Sequence, residues 1–314
     1  MLRLTILGFL ISGLFLTQSL SFGGLNFSLI DLDDLLGIFK SETAPSSVEA
    51  AALPCGSADH PCEIGKRSYH ITMPAGEGPF PVILFIHDFN SNGGEVVSGQ
   101  LRETALRAGY ALIAPNAAAV KINSGASQLR WLFEGRKGTI DDFQHLRSTI
   151  TDASSHFPID TSRMILAGEN YGGAFAWNAA CSSTKARYKF VATLNHQFGG
   201  FRSRNCGRYV PRFSLFFSVG YVRRDKRDPS ALKLTDESLS AVKPEQRIES
   251  PTFSRLLSKA ACKASTASSS QTINLQKWTD CAGGNRFGQA TFFGEPTTPS
   301  EWLELVVSWF EEGR

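Results

Sequence analysis

Short, unbroken apolar runs that alternate with helix-spaced patterns limit what this chain can fold into more than any other feature. Val82-Ile83-Leu84-Phe85-Ile86 is one such run, and Ala111-Leu112-Ile113-Ala114, ended by Pro115, is another. Met164 to Ala167 is a third, and Phe190 to Leu194, Phe213 to Val219 and Phe287 to Phe292, though interrupted by polar residues, read as further strands. A strand without polar alternation is one buried on both faces, as in a parallel sheet. Between these runs lie helical spacings: Leu101 to Ala108, then Phe143, Leu146, Ile150 and Ala153, then Tyr171 to Ala180. The last pattern is the strongest, with Trp302, Leu305, Val306, Trp309 and Phe310 on one face. The alternation predicts an α/β fold with a mostly parallel central sheet and helices on both faces. With 42% hydrophobic and 19% charged residues, the 314-residue chain can bury a large core and is not of the disordered class. No internal period appears, which excludes repeat architectures. Residues 53–314 read as a single domain, with a polar, irregular insertion around 221–285 that contains no strong strand and lies over the sheet edge.

The N-terminus sets the expected compartment. Met1-Leu2-Arg3 carries one positive charge, Leu4 to Leu16 is apolar, and Ser19-Leu20-Ser21 offers a small-residue cleavage site. Residues 1–21 therefore read as a signal peptide of a secreted or periplasmic protein. The alternative is an uncleaved N-terminal membrane anchor, although the run is short of the roughly 20 residues that span a bilayer. Residues 22–52 read as a leader and linker. Six cysteines fit export. They allow 15 connectivities, of which sequential pairing gives short local loops: Cys55–Cys62, Cys181–Cys206 and Cys262–Cys281. Buried free thiols are the alternative. No cysteine or histidine cluster offers a zinc site, and no cofactor is expected. A net charge of +3 is too small to argue for nucleic acid.

The chemistry-bearing segment is Gly168-Glu169-Asn170-Tyr171-Gly172-Gly173, between the Met164–Ala167 strand and a helix. A glycine-rich strand-to-helix turn is the setting of the nucleophile elbow G-x-S-x-G of α/β hydrolases. Asn170 stands where that pattern has serine.

Further segments widen the likeness. They are Cys55–Cys62 ahead of Tyr69-His70-Ile71-Thr72-Met73-Pro74, Phe85-Ile86-His87-Asp88, Ala108 to Pro115, Trp131-Leu132-Phe133, Asp141-Asp142-Phe143, Ile159 to Arg163, Ala180-Cys181, Trp278-Thr279-Asp280-Cys281 and Glu301-Trp302 to Trp309-Phe310. In this order, from about Leu53 to Glu312, the chain resembles the secreted polyhydroxybutyrate depolymerase and feruloyl esterase type of α/β hydrolase. The resemblance implies the α/β-hydrolase fold and serine, histidine and aspartate cleaving esters through an acyl-enzyme.

At each catalytic position this chain departs from the pattern. Asn170 has no usable nucleophile. The acid position holds Arg223, with Asp225 reachable after a small insertion. The base position, in a Gly-Gly-His context in the family, reads Gly294-Glu295-Pro296, so that Glu295 or Pro296 replaces histidine, and no histidine follows His196. The oxyanion region holds His87-Asp88 in place of His-Gly, with Tyr171 after the elbow residue. An inward Asp88 carboxylate would oppose the charge developing in the transition state; an outward one would cap a loop. Nucleophile and base act as a unit, and losing either costs orders of magnitude in rate. The expectation is a pseudo-hydrolase with a binding or interaction role toward a small ester or polymer ligand. The alternative is an active esterase on polyhydroxyalkanoate, feruloyl or acetyl esters with relocated catalytic residues.

Other candidates carry less chemistry. Trp131 and Tyr171 could line a surviving pocket or pack in the core. Asp141 and His145, four apart on a helix, could pair on a metal, but a solvated hydrogen bond on the helix face explains them better. His87 and His196 read as loop or core histidines. Arg202, Arg204, Arg208, Arg212, Arg223 and Arg224 crowd a short stretch and could meet an anionic surface, or form a solvated rim.

Overall fold

Along the central strands, successive side chains point to opposite sides of the sheet, and both sides are buried. Strand β3 (Phe80–Ile86) sends Val82, Leu84 and Ile86 into one core and Ile83 and Phe85 into the other. The same alternation divides Met164 and Leu166 from Ile165 and Ala167. The computed structural model describes residues 52–89, 91–121, 125, 127–132, 141–182, 188–196, 212–221, 251–269, 273–293 and 300–314.

The remaining strands are β1 (Cys62–Ile64), β2 (Arg67–Thr72), β4 (Ala111–Pro115), β7 (Ile159–Glu169), β8 (Phe190–Leu194), β9 (Ser214–Tyr221), β10 (Ala264–Ser269), β11 (Ile273–Thr279) and β12 (Phe287–Phe293). Together they form one ten-stranded sheet in the order β1-β2-β4-β3-β7-β8-β9-β12-β11-β10. From β4 to β12 neighbouring strands are parallel, and the flanking pairs on either side are antiparallel. A separate hairpin joins β5 (Ala118–Lys121) and β6 (Ser127–Arg130).

Helices α1 (Gly93–Ser98), α2 (Gln100–Arg107), α3 (Asp142–His156), α4 (Asn170–Ser182), α5 (Pro251–Ala260) and α6 (Ser300–Glu311) cover the sheet. One core gathers Leu146, Phe175, Trp177 and Phe253, and the other Val96, Ala105, Trp302 and Trp309. The final helix buries Trp302, Val306 and Trp309, whose 3.6-residue spacing is the pattern read from sequence. Trp302 Nε1–H donates to Ser218 Oγ at 3.0 Å, so its one polar atom is satisfied inside.

The region from 221 to 285 differs from expectation. It contributes α5, β10 and β11, and the two strands extend the sheet edge in antiparallel register. Their signal is weak because β10 (ASTASS) is exposed at every position and β11 is half-buried up to Trp278 and exposed at Thr279. A strand with little apolar surface to bury needs no apolar run.

Cys55–Cys62 and Cys262–Cys281 are disulfides, with sequence separations of 7 and 19. Cys181 is disulfide-bonded as well, whereas Cys206 lies outside the described residues. These bonds suit an oxidising, extracellular environment. Among the described residues no helix is long and apolar enough to cross a membrane. The expected signal peptide, residues 1–21, and the expected leader, residues 22–52, also lie outside the described residues, except for residue 52 itself.

Candidate functional site

Parallel strands end on one side of a sheet, which is where α/β proteins place their sites. Ile86 is the register partner of Gly168, and Gly168 of Thr193. Asp88 and Asn170 each stand two residues beyond that shared level. Register alone therefore brings the two ends together.

Asn170 begins α4 with φ +47°, the left-handed region that asparagine tolerates better than most side chains. The turn is tight. A Cβ on Gly172 would sit 2.1 Å from the Ile86 carbonyl oxygen and 2.4 Å from that of His87. One on Gly168 would sit 2.8 Å from the Gly172 backbone. The glycines of the sequence pattern are thus fixed by backbone contact between the elbow and the end of β3.

Asp88 points inward. Its Oδ1 accepts the backbone N–H of Phe89 at 2.8 Å and that of Tyr171 at 3.0 Å. Its Oδ2 accepts the side-chain amide of Asn170 at 3.1 Å. The Phe89 and Tyr171 rings meet edge to face, with centroids 6.2 Å apart, and Phe89 is an exposed large apolar side chain. Burial raises the pKa of the Tyr171 phenol, while Arg130, hydrogen-bonded to it, acts in the opposite sense. The participation of Phe89 was not legible in the sequence, because it contributes a backbone N–H.

Neither nearby histidine is placed as a base. His87 Nε2 accepts the Ala117 N–H at 3.1 Å, so Nδ1 carries the proton and donates to the Asp88 carbonyl oxygen at 2.6 Å. The ring is fully buried, and that burial lowers its pKa. His196, after β8, is 3% exposed and packs against Trp177 and Phe217, with ring centroids 6.3 and 5.7 Å away. Burial pushes its pKa down to about 3.

Two sequence candidates move. Trp131 is no pocket wall: it is fully buried, stacks on Phe175 at 4.9 Å, and donates from Nε1 to the His87 carbonyl at 2.9 Å. Asp141 and His145 form no pair either. Asp141 caps α3 by accepting the Gln144 N–H at 3.0 Å. His145 is buried rather than solvated, and burial together with the Arg67 charge lowers its pKa to about 4. Its neighbour Asp142, fully buried, accepts the Leu132 N–H at 2.5 Å and lies 2.7 Å from Arg67. Desolvation nevertheless leaves the Asp142 pKa raised.

The residues expected at the acid and base positions, Arg223, Asp225, Glu295 and Pro296, lie outside the described residues. Strands β9 and β12, which lead to them, end side by side at Tyr221 and Phe293. Arg212 is exposed, and Arg202, Arg204, Arg208 and Arg224 lie outside the described residues.

No protein-family model matches the chain, and no curated protein matches it. Among solved structures, the chain is similar to the acetyl xylan esterase from Aspergillus awamori. Identity there is 11%, the TM-score is 0.52, and the match covers 85% of this chain and 99% of that one. A Bacillus cereus carboxylesterase matches at 11% identity and a TM-score of 0.46, over 80% of this chain and 96% of that one. The sheet order, the elbow and the first of these likenesses agree that this chain has the α/β-hydrolase fold.

Proposed function

We propose that this is an exported α/β-hydrolase-fold protein without serine-type ester hydrolysis, which uses its scaffold for binding. The observation that carries the proposal is Asn170. It holds the left-handed elbow position of a nucleophile, and its amide is bonded to Asp88. A carboxamide cannot form the acyl-enzyme that this chemistry requires, and the His87 ring has both nitrogens engaged. Support for export comes from the disulfides and from the leader-like N-terminus. The esterase resemblance indicates a small ester or ester polymer as the ligand class.

Incubation of the purified protein with a short-chain nitrophenyl ester and a serine-directed phosphonate tests the proposal. The expected result is hydrolysis at the level of a denatured control and no covalent label. Phosphonate labelling together with turnover would establish the active esterase with relocated residues instead.

A further inference from the structure

The least expected feature of the elbow is that its anion-receiving backbone is already occupied. Two N–H groups from different elements, Phe89 after β3 and Tyr171 in the first turn of α4, converge on one oxygen, Asp88 Oδ1. The second oxygen is held by the Asn170 amide. The geometry matches how enzymes bind a developing oxyanion, with donors about 2.7–3.1 Å from the negative oxygen. The start of a 13-residue helix adds its favourable dipole.

We propose that Asp88 is a built-in plug. Its carboxylate fills the oxyanion nest of Phe89 and Tyr171 and bars an outside acyl oxygen or carboxylate from it. The inference rests on reading the elbow as non-catalytic, and it deepens that reading. Asn170 is more than a missing serine, because its amide supplies the donor that the second carboxylate oxygen takes. Asn170 and Asp88 form a matched pair: the amide nitrogen faces the carboxylate, and the carboxylate faces three donors. An ester bound over the elbow would meet a negative oxygen where its carbonyl oxygen needs N–H groups. Its tetrahedral intermediate would be repelled.

The plug predicts a site that opens when the side chain is removed. In Asp88→Gly the freed N–H groups take up formate from low-chloride buffer. Binding is saturable, raises the melting temperature, and returns the Phe89 and Tyr171 amide resonances toward their wild-type positions. Wild-type protein binds formate at least about tenfold more weakly, because its own carboxylate already holds the charge-assisted hydrogen bonds that formate would make. Equal response of both proteins, or no response of a folded Asp88→Gly, overturns the plug. If Asp88→Gly does not fold, Asp88→Asn decides. The neutral side chain weakens the contacts, and the Phe89 and Tyr171 amides exchange faster than in wild type; unchanged exchange overturns the proposal. A protein that is inert toward esters while Asp88→Gly ignores formate loses the plug and keeps the reading of Asn170. Wild-type turnover of an ester removes that reading whatever formate does.

Discussion

Replacing Trp131 by alanine is expected to cost about 4 kcal/mol of stability, within the range for deleting a large buried aromatic. The ring is wholly inside, stacked on Phe175, which stacks in turn on Phe143 at 5.1 Å. Its Nε1–H satisfies the His87 carbonyl, one residue before Asp88. Alanine would leave both a cavity and an unpaired buried acceptor, and these penalties add. Trp131→Phe retains most of the volume but still orphans the carbonyl, so about half the loss is expected. Urea unfolding of the three proteins measures this. A loss below about 0.5 kcal/mol for the alanine variant, the ordinary size of a surface change, would mean that Trp131 does not hold the floor of the site.

Acid is the second large lever. His196 and His145 have folded pKa values of about 3 and about 4, against about 6.5 in an unfolded chain. Both are depressed, so the fold prefers the neutral rings. The stability they contribute is fully present above about pH 6.5 and is lost as pH falls, because the unfolded chain takes up protons that the folded chain refuses. Each group contributes at most about 1.4 kcal/mol per pH unit. His70 and His87, also lowered by burial, act in the same direction. Asp142 opposes them. Its raised pKa lets the folded state accept a proton first. The net expectation is a loss of about 3–5 kcal/mol between pH 6.5 and 4.5. Denaturant midpoints across that interval would show it, and a flat profile would contradict the burial of both rings.

The core strands could be read from sequence because their two-sided burial leaves no polar alternation to confuse the signal. Strand β10 could not, since a serine-, threonine- and alanine-rich edge exposed at every position looks like linker. Helix α1 escaped for a related reason. It opens on Gly93 and Gly94, poor helix formers held by the Asn92 side-chain cap on the Glu95 N–H. At the site, Asn170 was legible because a strand, a glycine turn and a helix leave it one role. Trp131 was not, because an aromatic residue can either pack or line a pocket until its neighbours are known. The orientation of Asp88 depends on two backbone N–H groups and on the register of β3 with β7. Composition and spacing contain none of that information.

Restoring the nucleophile alone is not expected to make this elbow catalytic. Asn170→Ser tests it most directly, assayed with a short-chain nitrophenyl ester and melted alongside wild type. The residue keeps its left-handed φ of +47° and gives up the amide contact to Asp88. Stability should therefore be unchanged or fall by about 1 kcal/mol, the low end of backbone strain costs. Hydrolysis should stay at the wild-type level, because no histidine follows His196 and the Asp88 carboxylate already takes the Phe89 and Tyr171 N–H groups. Turnover by the single variant at a rate on the order of 1 per second or faster, ordinary for an enzyme, would contradict the account and reveal a base elsewhere in the chain.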